Sequence, residues 1–379
     1  MTDYKIPFNK PFLGKEEERL VVRAMRSGQT TGDSFYGREL RELMQKKLKV
    51  RYVLPTPSGT AALELAIMAL GLGKGNEVIL PSFNFASGAT AILRAGAKPV
   101  FADIEKETLC LDPEAIAKAI SPRTHAIMVV HYAGHACDMA AILKLAKKHN
   151  CKVIEDASHA IGAKYKGKYL GTIGNIGCYS FHGTKNIVTG EGGAFVTNDE
   201  KIFRQAEIMR EKGTNRSAFI RGEIDKYSLV SLGSSYLLSD VLAAMAIAQF
   251  RKLDKITALR RRHAQYLLRK LADLKTKMQL PMVKPYADSN WHIFALLVNP
   301  KKREKFIQFL KQAGIKTLSH YVPLHSSPLG KKLGWAKAKL TNTDLVSQSI
   351  VRLPLYPALT KENLDYMVKK VHEAARKIF

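Results

Sequence analysis

One lysine, Lys185, lies in the stretch CYSFHGTKNIVTGEGGAFVTND (178–199), between an aromatic run and a glycine cluster where the chain turns. An amine held in a dry pocket loses proton affinity and becomes a nucleophile; on a surface loop it is only a solvated cation. Two carboxylates, Glu155 and Asp156, follow the apolar start of KVIEDASHAIG (152–162). A buried carboxylate requires a cation or hydrogen-bond donors. A structural ion pair would satisfy that, and so would a protonated ring nitrogen of a ligand. Ser58, Gly59 and Thr60 in TPSGTAALELA (56–66) open a helix whose free N–H groups and dipole favour a phosphate, although Ser and Thr also cap helices generally. Phe85 in PSFNFASGATAIL (81–93) stands where it could stack on a planar ring or fill the core.

The elements that must position these residues are readable as runs. EVILPS (77–82), KPVFADI (98–104), HAIMVVHYAG (125–134), KVIEDAS (152–158), GCYSF (177–181) and GAFVTN (193–198) read as buried strands. Helical patterns at 15–28, 59–72 and 139–150 accompany them. Near-continuous apolar strands alternating with helices predict an α/β domain around a mostly parallel sheet, in which ligands gather beyond the carboxyl ends of the strands. Near residue 250 the texture changes to a long basic helix (252–270), the runs 291–299 and 305–325, and a terminal helix. The expected division is an N-terminal arm (1–14), a large ligand-binding domain (15–250) and a small C-terminal α+β domain (251–379).

The 379 residues carry 60 Lys and Arg against 33 Asp and Glu, a formal charge of +27. Basic residues are spread along the chain, and KLDKITALRRRHAQYLLRK (252–270) alternates them with apolar ones as a solvated helix face would. No basic arm and no basic stretch interleaved with aromatics points to specific nucleic-acid binding. Attraction of small anionic ligands fits the charge. Four scattered cysteines without a CxxC pair suit free thiols and argue against a zinc site. The opening MTDYKIPFNKPFLG has no apolar core, and no run approaches a membrane span, so a cytoplasmic protein without membrane insertion is expected.

The order of these stations, with GNEVILPSFNF, AGAKPVFADI, SFHGTKN, GEGGAFVTND and LPLYPALT, resembles the DegT family of sugar-nucleotide aminotransferases, enzymes of pyridoxal phosphate (PLP) fold type I. The resemblance runs from about residue 6 to residue 360. It implies Lys185 as the covalent anchor of PLP and the mover of the substrate proton. It implies Asp156 as the partner of the ring nitrogen, Phe85 as the stacking ring, and Ser58, Gly59, Thr60 and Ser180 as the phosphate site. His159 stands where many members carry glutamine, and Ser235 where many carry an asparagine that reaches the neighbouring subunit's phosphate. Further implied are a homodimer with shared sites and L-glutamate as donor. VVHYAGHACDM and REKGTNRSAFIRGEIDKYSLVSLGSSYLLSD resemble members that aminate C4 of dTDP-4-dehydro-6-deoxy-D-glucose for surface polysaccharides. Amination of C3 in an isomeric ketosugar is the alternative, and a silent nucleic-acid-binding regulator of the same fold is a further one. Arg216, Arg221, His320, Tyr321 and His325 are candidate substrate contacts; no metal site is expected.

Overall fold

The computed structural model describes residues 4–335 and 339–379. Its strands, in chain order, are β1 (Tyr52–Thr56), β2 (Glu77–Pro81), β3 (Lys98–Ala102), β4 (Thr124–Val130), β5 (Lys152–Asp156), β6 (Lys164–Tyr165), β7 (Lys168–Tyr169), β8 (Ile176–Ser180), β9 (Gly193–Thr197), β10 (Ala287–Asp288), β11 (Phe294–Leu297) and β12 (Ile350–Leu353). The main sheet has the order β1-β9-β8-β5-β4-β2-β3. Strands β8, β5, β4, β2 and β3 run parallel, and β9 is antiparallel to both β1 and β8.

Alternation along these strands feeds two apolar layers. Val53, Ile79, Val129, Val153, Tyr179 and Val196 face one layer. Their neighbours Leu54, Leu80, Met128, Ile154, Cys178 and Phe195 face the other. Helices cover both sides, which is why the strands read as unbroken apolar runs. The run YVLPT of β1 was not among the expected strands. It contains Pro55, and it lies at the sheet edge, where a missing backbone N–H is tolerated.

β4 stops at Val130, short of the expected 134. Ala133 adopts φ 59° and Gly134 φ 84°, so the chain turns there. A Cβ on Gly134 would lie 1.8 Å from Asn290 Oδ1. Its absence lets Asn290 Nδ2 donate to the carbonyls of His159 (3.0 Å) and Ile161 (2.8 Å), tying the C-terminal region to the turn after β5.

The C-terminal region is built on the antiparallel pair β11–β12, in which Ala295 faces Arg352. The helices Leu253–Lys270, Pro300–Gln312 and Lys361–Ile378 surround a core including Leu267, Phe306, Val351, Met367 and Val371, which Ile6 of the N-terminal segment joins. The basic helix 253–270 is largely solvated on one face, with one departure. Arg260 is buried and donates to the carbonyls of Leu355 (2.7 Å), His292 and Trp291. All four cysteines are buried and unpaired. Among the described residues no helix is long and apolar enough to cross a membrane, and no cluster of ligating side chains could hold a metal.

Candidate active site

The carboxyl ends of β1, β2, β4, β5 and β8 meet at one edge of the sheet, where a cavity of about 680 Å³ opens. Residues from β12 and from the segment 318–321 close its other wall. Ser58, Gly59, Thr60, Phe85, Asp156, His159, Ser180, Lys185, His320 and Tyr321 all line it. Residues scattered through the chain are thus gathered into one space.

The two adjacent carboxylates separate, as strand alternation requires. Glu155 is fully buried and accepts from the N–H groups of Gly171 (2.7 Å), Ile173 (2.6 Å) and Gly174 (2.5 Å) and from His131 Nε2 (2.9 Å). It is the structural carboxylate, holding the 171–174 turn under the sheet. Replacing Glu155 with alanine strands four donors in the interior. The expected result is a loss of about 3–5 kcal/mol of unfolding free energy, seen as a lower urea midpoint. Asp156 receives one N–H, from Ser158 at 3.1 Å, and keeps the rest of its carboxylate for the cavity.

Lys185 is set by the turn after β8. Its N–H donates to His182 O (2.8 Å), and Gly183 N–H closes the loop on Gly190 O (2.9 Å). Burial pulls its ammonium down from the ordinary lysine value to about 8; Asp156 opposes the shift and Arg352 adds to it. The amine is therefore available near neutral pH.

At the end formed by β1 and β8, Ser58 Oγ caps the helix Gly59–Ala69 by accepting from Ala61 N–H (3.0 Å). A Cβ on Gly59 would sit 2.8 Å from Ser180 Cβ. Only glycine lets the first turn of this helix approach the Ser180 hydroxyl so closely. The result is a cradle of N–H and O–H groups suited to a phosphate.

Phe85 is 62% exposed, lining the cavity rather than filling the core. His159 is held neutral, far below its usual value, by burial and then by Lys185, His292, His320 and Arg352. Its Nδ1 accepts from Ala133 N–H (3.4 Å), so the neutral ring carries its proton on Nε2. His320 Nδ1 meets Tyr132 Oη at 2.9 Å, and its ring stacks on Tyr321 at 3.9 Å.

Four expected contacts lie elsewhere in this chain. His325 is buried against Ser82 (2.8 Å) and Asp344 (3.3 Å), outside the cavity, because its turn folds back onto the end of β2. Arg221 is committed to Glu207 (2.9 Å) and Glu223 (2.7 Å). Arg216 and Ser235 are exposed on a segment that does not reach this cavity. In the other direction, Arg352, His292, Asn84 and Phe8 line the wall and were not singled out from sequence. A lone arginine inside the apolar run IVRL was the available signal for Arg352.

Sheet order, cavity position and the presence of Lys185 and Asp156 on one cavity fit an aminotransferase-like α/β enzyme. Residues 11–372 match the DegT/DnrJ/EryC1/StrS aminotransferase family, and the chain belongs to it. It is 36% identical over 97% of its length to 96% of the uncharacterized protein MJ1066 of Methanocaldococcus jannaschii. Among solved structures, the putative sugar aminotransferase Spr1654 from Streptococcus pneumoniae, in its PMP form, superposes with TM-score 0.93 at 25% identity, covering 99% of this chain and 100% of that one. DesV of S. venezuelae, in complex with a ketimine intermediate, gives 0.92 at 30% identity, covering 99% of each.

The protein is an aminotransferase, and its cofactor is pyridoxal phosphate. The residues present fit that group. The cradle at Gly59 and Ser180 suits its phosphate, the Asp156 carboxylate its ring nitrogen, and the Lys185 amine its aldehyde.

Proposed function

We propose that this enzyme moves an amino group from L-glutamate to C4 of dTDP-4-dehydro-6-deoxy-D-glucose, giving dTDP-4-amino-4,6-dideoxy-D-galactose for surface polysaccharides. The protein would then act as a dTDP-4-amino-4,6-dideoxygalactose transaminase. The observation that carries the reading is the placement of one depressed-pKa lysine and one carboxylate on the same cavity. PLP supplies an aldehyde that takes up the amino group and a ring that accepts the electron pair left when the donor's α-proton departs.

The chain's own residues do the rest. Ser58, Gly59, Thr60 and Ser180 bind the phosphate, and Phe85 packs on the ring. Asp156 holds a proton on the ring nitrogen. Lys185, once released as a free amine, carries the α-proton away from the donor and returns it on the other side of the transfer. Neutral His159, with its Nε2–H free of the backbone contact, donates a hydrogen bond to the ring substituents.

A homodimer in the cytoplasm is part of this reading. The segment carrying Arg216 and Ser235 also exposes Phe219, Ile220, Leu229 and Leu232, the last at 87%. An exposed apolar patch of this kind suits a partner subunit, whose cavity Arg216 and Ser235 would then complete. The +27 charge suits a nucleotide-sugar diphosphate.

The deciding experiment feeds L-glutamate with the 4-ketosugar or with the isomeric 3-ketosugar, and locates the new C–N bond by NMR. Amination at C4, with one 2-oxoglutarate released per amine formed, is expected. Amination of the 3-ketosugar in preference would overturn the assignment of position.

A further inference from the structure

The positive charge of this chain is unevenly placed. Residues 251–379 hold 27 Lys and Arg against 8 Asp and Glu, and so carry +19 of the +27. Of these basic residues only Arg352 lines the cavity. Arg260 aside, every other one that the structure describes is half-buried or exposed at the surface. The catalytic steps above make no use of them.

Part of this charge forms an ordered seam where the helices Pro300–Gln312 and Lys361–Ile378 pack together. The Phe306 and Phe379 rings meet there at 5.7 Å, and Tyr366 Oη donates to Ala313 O at 3.0 Å. Lys302 lies over the Phe379 ring (5.4 Å) and Lys377 over Phe309 (5.5 Å). Lys5, brought in by the bridge between Ile6 and Ile315, lies over Tyr366 at 3.8 Å. Lys301, Lys305 and Phe309 recur at four-residue intervals, on one stripe of the first helix. That helix holds five basic residues and one carboxylate, Glu304, which Gln308 engages at 2.7 Å. On the second helix Lys361 and Lys370 are paired with Asp365 and Glu373. Among the described residues no carboxylate pairs with Lys301, Lys302, Lys305 or Lys377.

Like charges gathered without counter-charges attract an acidic partner. Two such partners ask different things of the aromatic rings. A nucleic acid stacks its bases on open ring faces and sets its phosphates in arginine forks. Here lysine ammonium groups cover the faces of Tyr366, Phe309 and Phe379, and Arg303 donates to Ser347 O at 2.6 Å. A bilayer surface needs only point charges, with amphipathic side chains at headgroup level. Lysine stems laid over half-buried rings supply both.

We propose that this seam docks the protein peripherally on an anionic phospholipid bilayer, with Lys301, Lys302, Lys305 and Lys377 meeting the headgroup phosphates. None of the four lines the cavity, so docking leaves the active site open. The inference is independent of which sugar is aminated.

The test sediments the full-length, PLP-loaded protein with vesicles of phosphatidylcholine, alone or mixed in equal parts with phosphatidylglycerol. Wild type should bind the mixed vesicles and not the neutral ones. Salt at about 1 M, where screening shortens to roughly 3 Å, should release it. The triple variant Lys301→Gln, Lys305→Gln, Lys377→Gln should bind about 100-fold more weakly, since each basic residue near such a surface contributes about a factor of five. A matched variant, Lys144→Gln, Lys147→Gln, Lys148→Gln, removes three exposed lysines from the helix Met139–Lys148. It should lose less than about threefold. Turnover and PLP content should equal wild type in both, because none of the six residues lines the cavity. In the wild type itself, acetylation of Lys305 and Lys377 should slow on the mixed vesicles while that of Lys144 and Lys147 holds.

Equal losses in the two triple variants, or protection spread evenly over the four lysines, would reduce the effect to net charge and overturn the seam. Tighter binding to duplex DNA than to mixed vesicles, at equal phosphate concentration, would make a nucleic acid the occupant and overturn the bilayer. No binding to the mixed vesicles would end the proposal outright.

Discussion

Lys185→Ala should lower turnover by at least about 10⁴-fold, because one substitution removes both the covalent anchor and the group that carries the proton. The backbone of the turn has no stake in the side chain. Lys185 N–H bonds His182 O, and Gly183 bonds Gly190 O, whatever residue stands at 185. The fold should therefore survive, and the variant should still take up PLP through the phosphate cradle and Asp156. Borohydride treatment followed by peptide mass analysis should find the cofactor fixed to Lys185 in the wild type and to no residue in the variant. Retained turnover in the alanine variant would remove Lys185 from the mechanism.

A pH measurement on the cofactor-free protein tests the physical cause separately. Burial lowers the Lys185 pKa from its ordinary value to about 8, so the neutral amine is the species gained as pH rises through that point. The rate of acetylation at Lys185, followed by mass spectrometry, should climb with a midpoint near 8. A solvated lysine would titrate near 10.4, and such a midpoint would mean that the cavity does not desolvate the amine.

What the sequence made legible follows from what is local. Strand alternation and the helix opening at Ser58–Thr60 are short-range patterns, and the stations they place were readable in order. The choice between Glu155 and Asp156 was not readable from periodicity alone. Both end a strand buried on its two faces, and only the 171–174 turn, with its three N–H donors, makes Glu155 the structural one. The resemblance had already singled out Asp156, and the geometry gives that preference a cause. Arg352 escaped for a different reason. It reaches the cavity through the β11–β12 ladder and its contact with Leu318, long-range pairings that leave no spacing signature near Lys185. His325 is the reverse case: its segment SHYVPLH sends His320 and Tyr321 inward and then turns, leaving His325 packed on Ser82. Neighbours in sequence parted company over one turn of chain. Arg221 is paired within the chain by Glu207, which lies on a preceding helix and leaves no signal in the local sequence around FIRGE.

Asp156→Asn should keep the shape of the site and lose most of the rate, by about 10²–10⁴-fold. The amide oxygen can still accept from Ser158 N–H, so the turn after β5 should hold and PLP should bind, though more weakly. What the amide lacks is the charge. A carboxylate favours a proton on the facing ring nitrogen, and an amide offers no comparable stabilisation. Each pKa unit lost there corresponds to about 1.4 kcal/mol less preference for the charged ring. The same substitution has a second consequence that needs no cofactor. Asp156 is the carboxylate that opposes the downward shift of Lys185, with burial and Arg352 acting the other way. Removing it leaves those two influences unbalanced, so the Lys185 acetylation midpoint should move below its wild-type position. A slow variant with an unmoved midpoint would show that Asp156 acts on the ring without sharing a field with Lys185. A displaced midpoint together with wild-type turnover would show that the ring nitrogen needs no carboxylate. Only the joint loss, in rate and in midpoint, is what one cavity holding both groups requires.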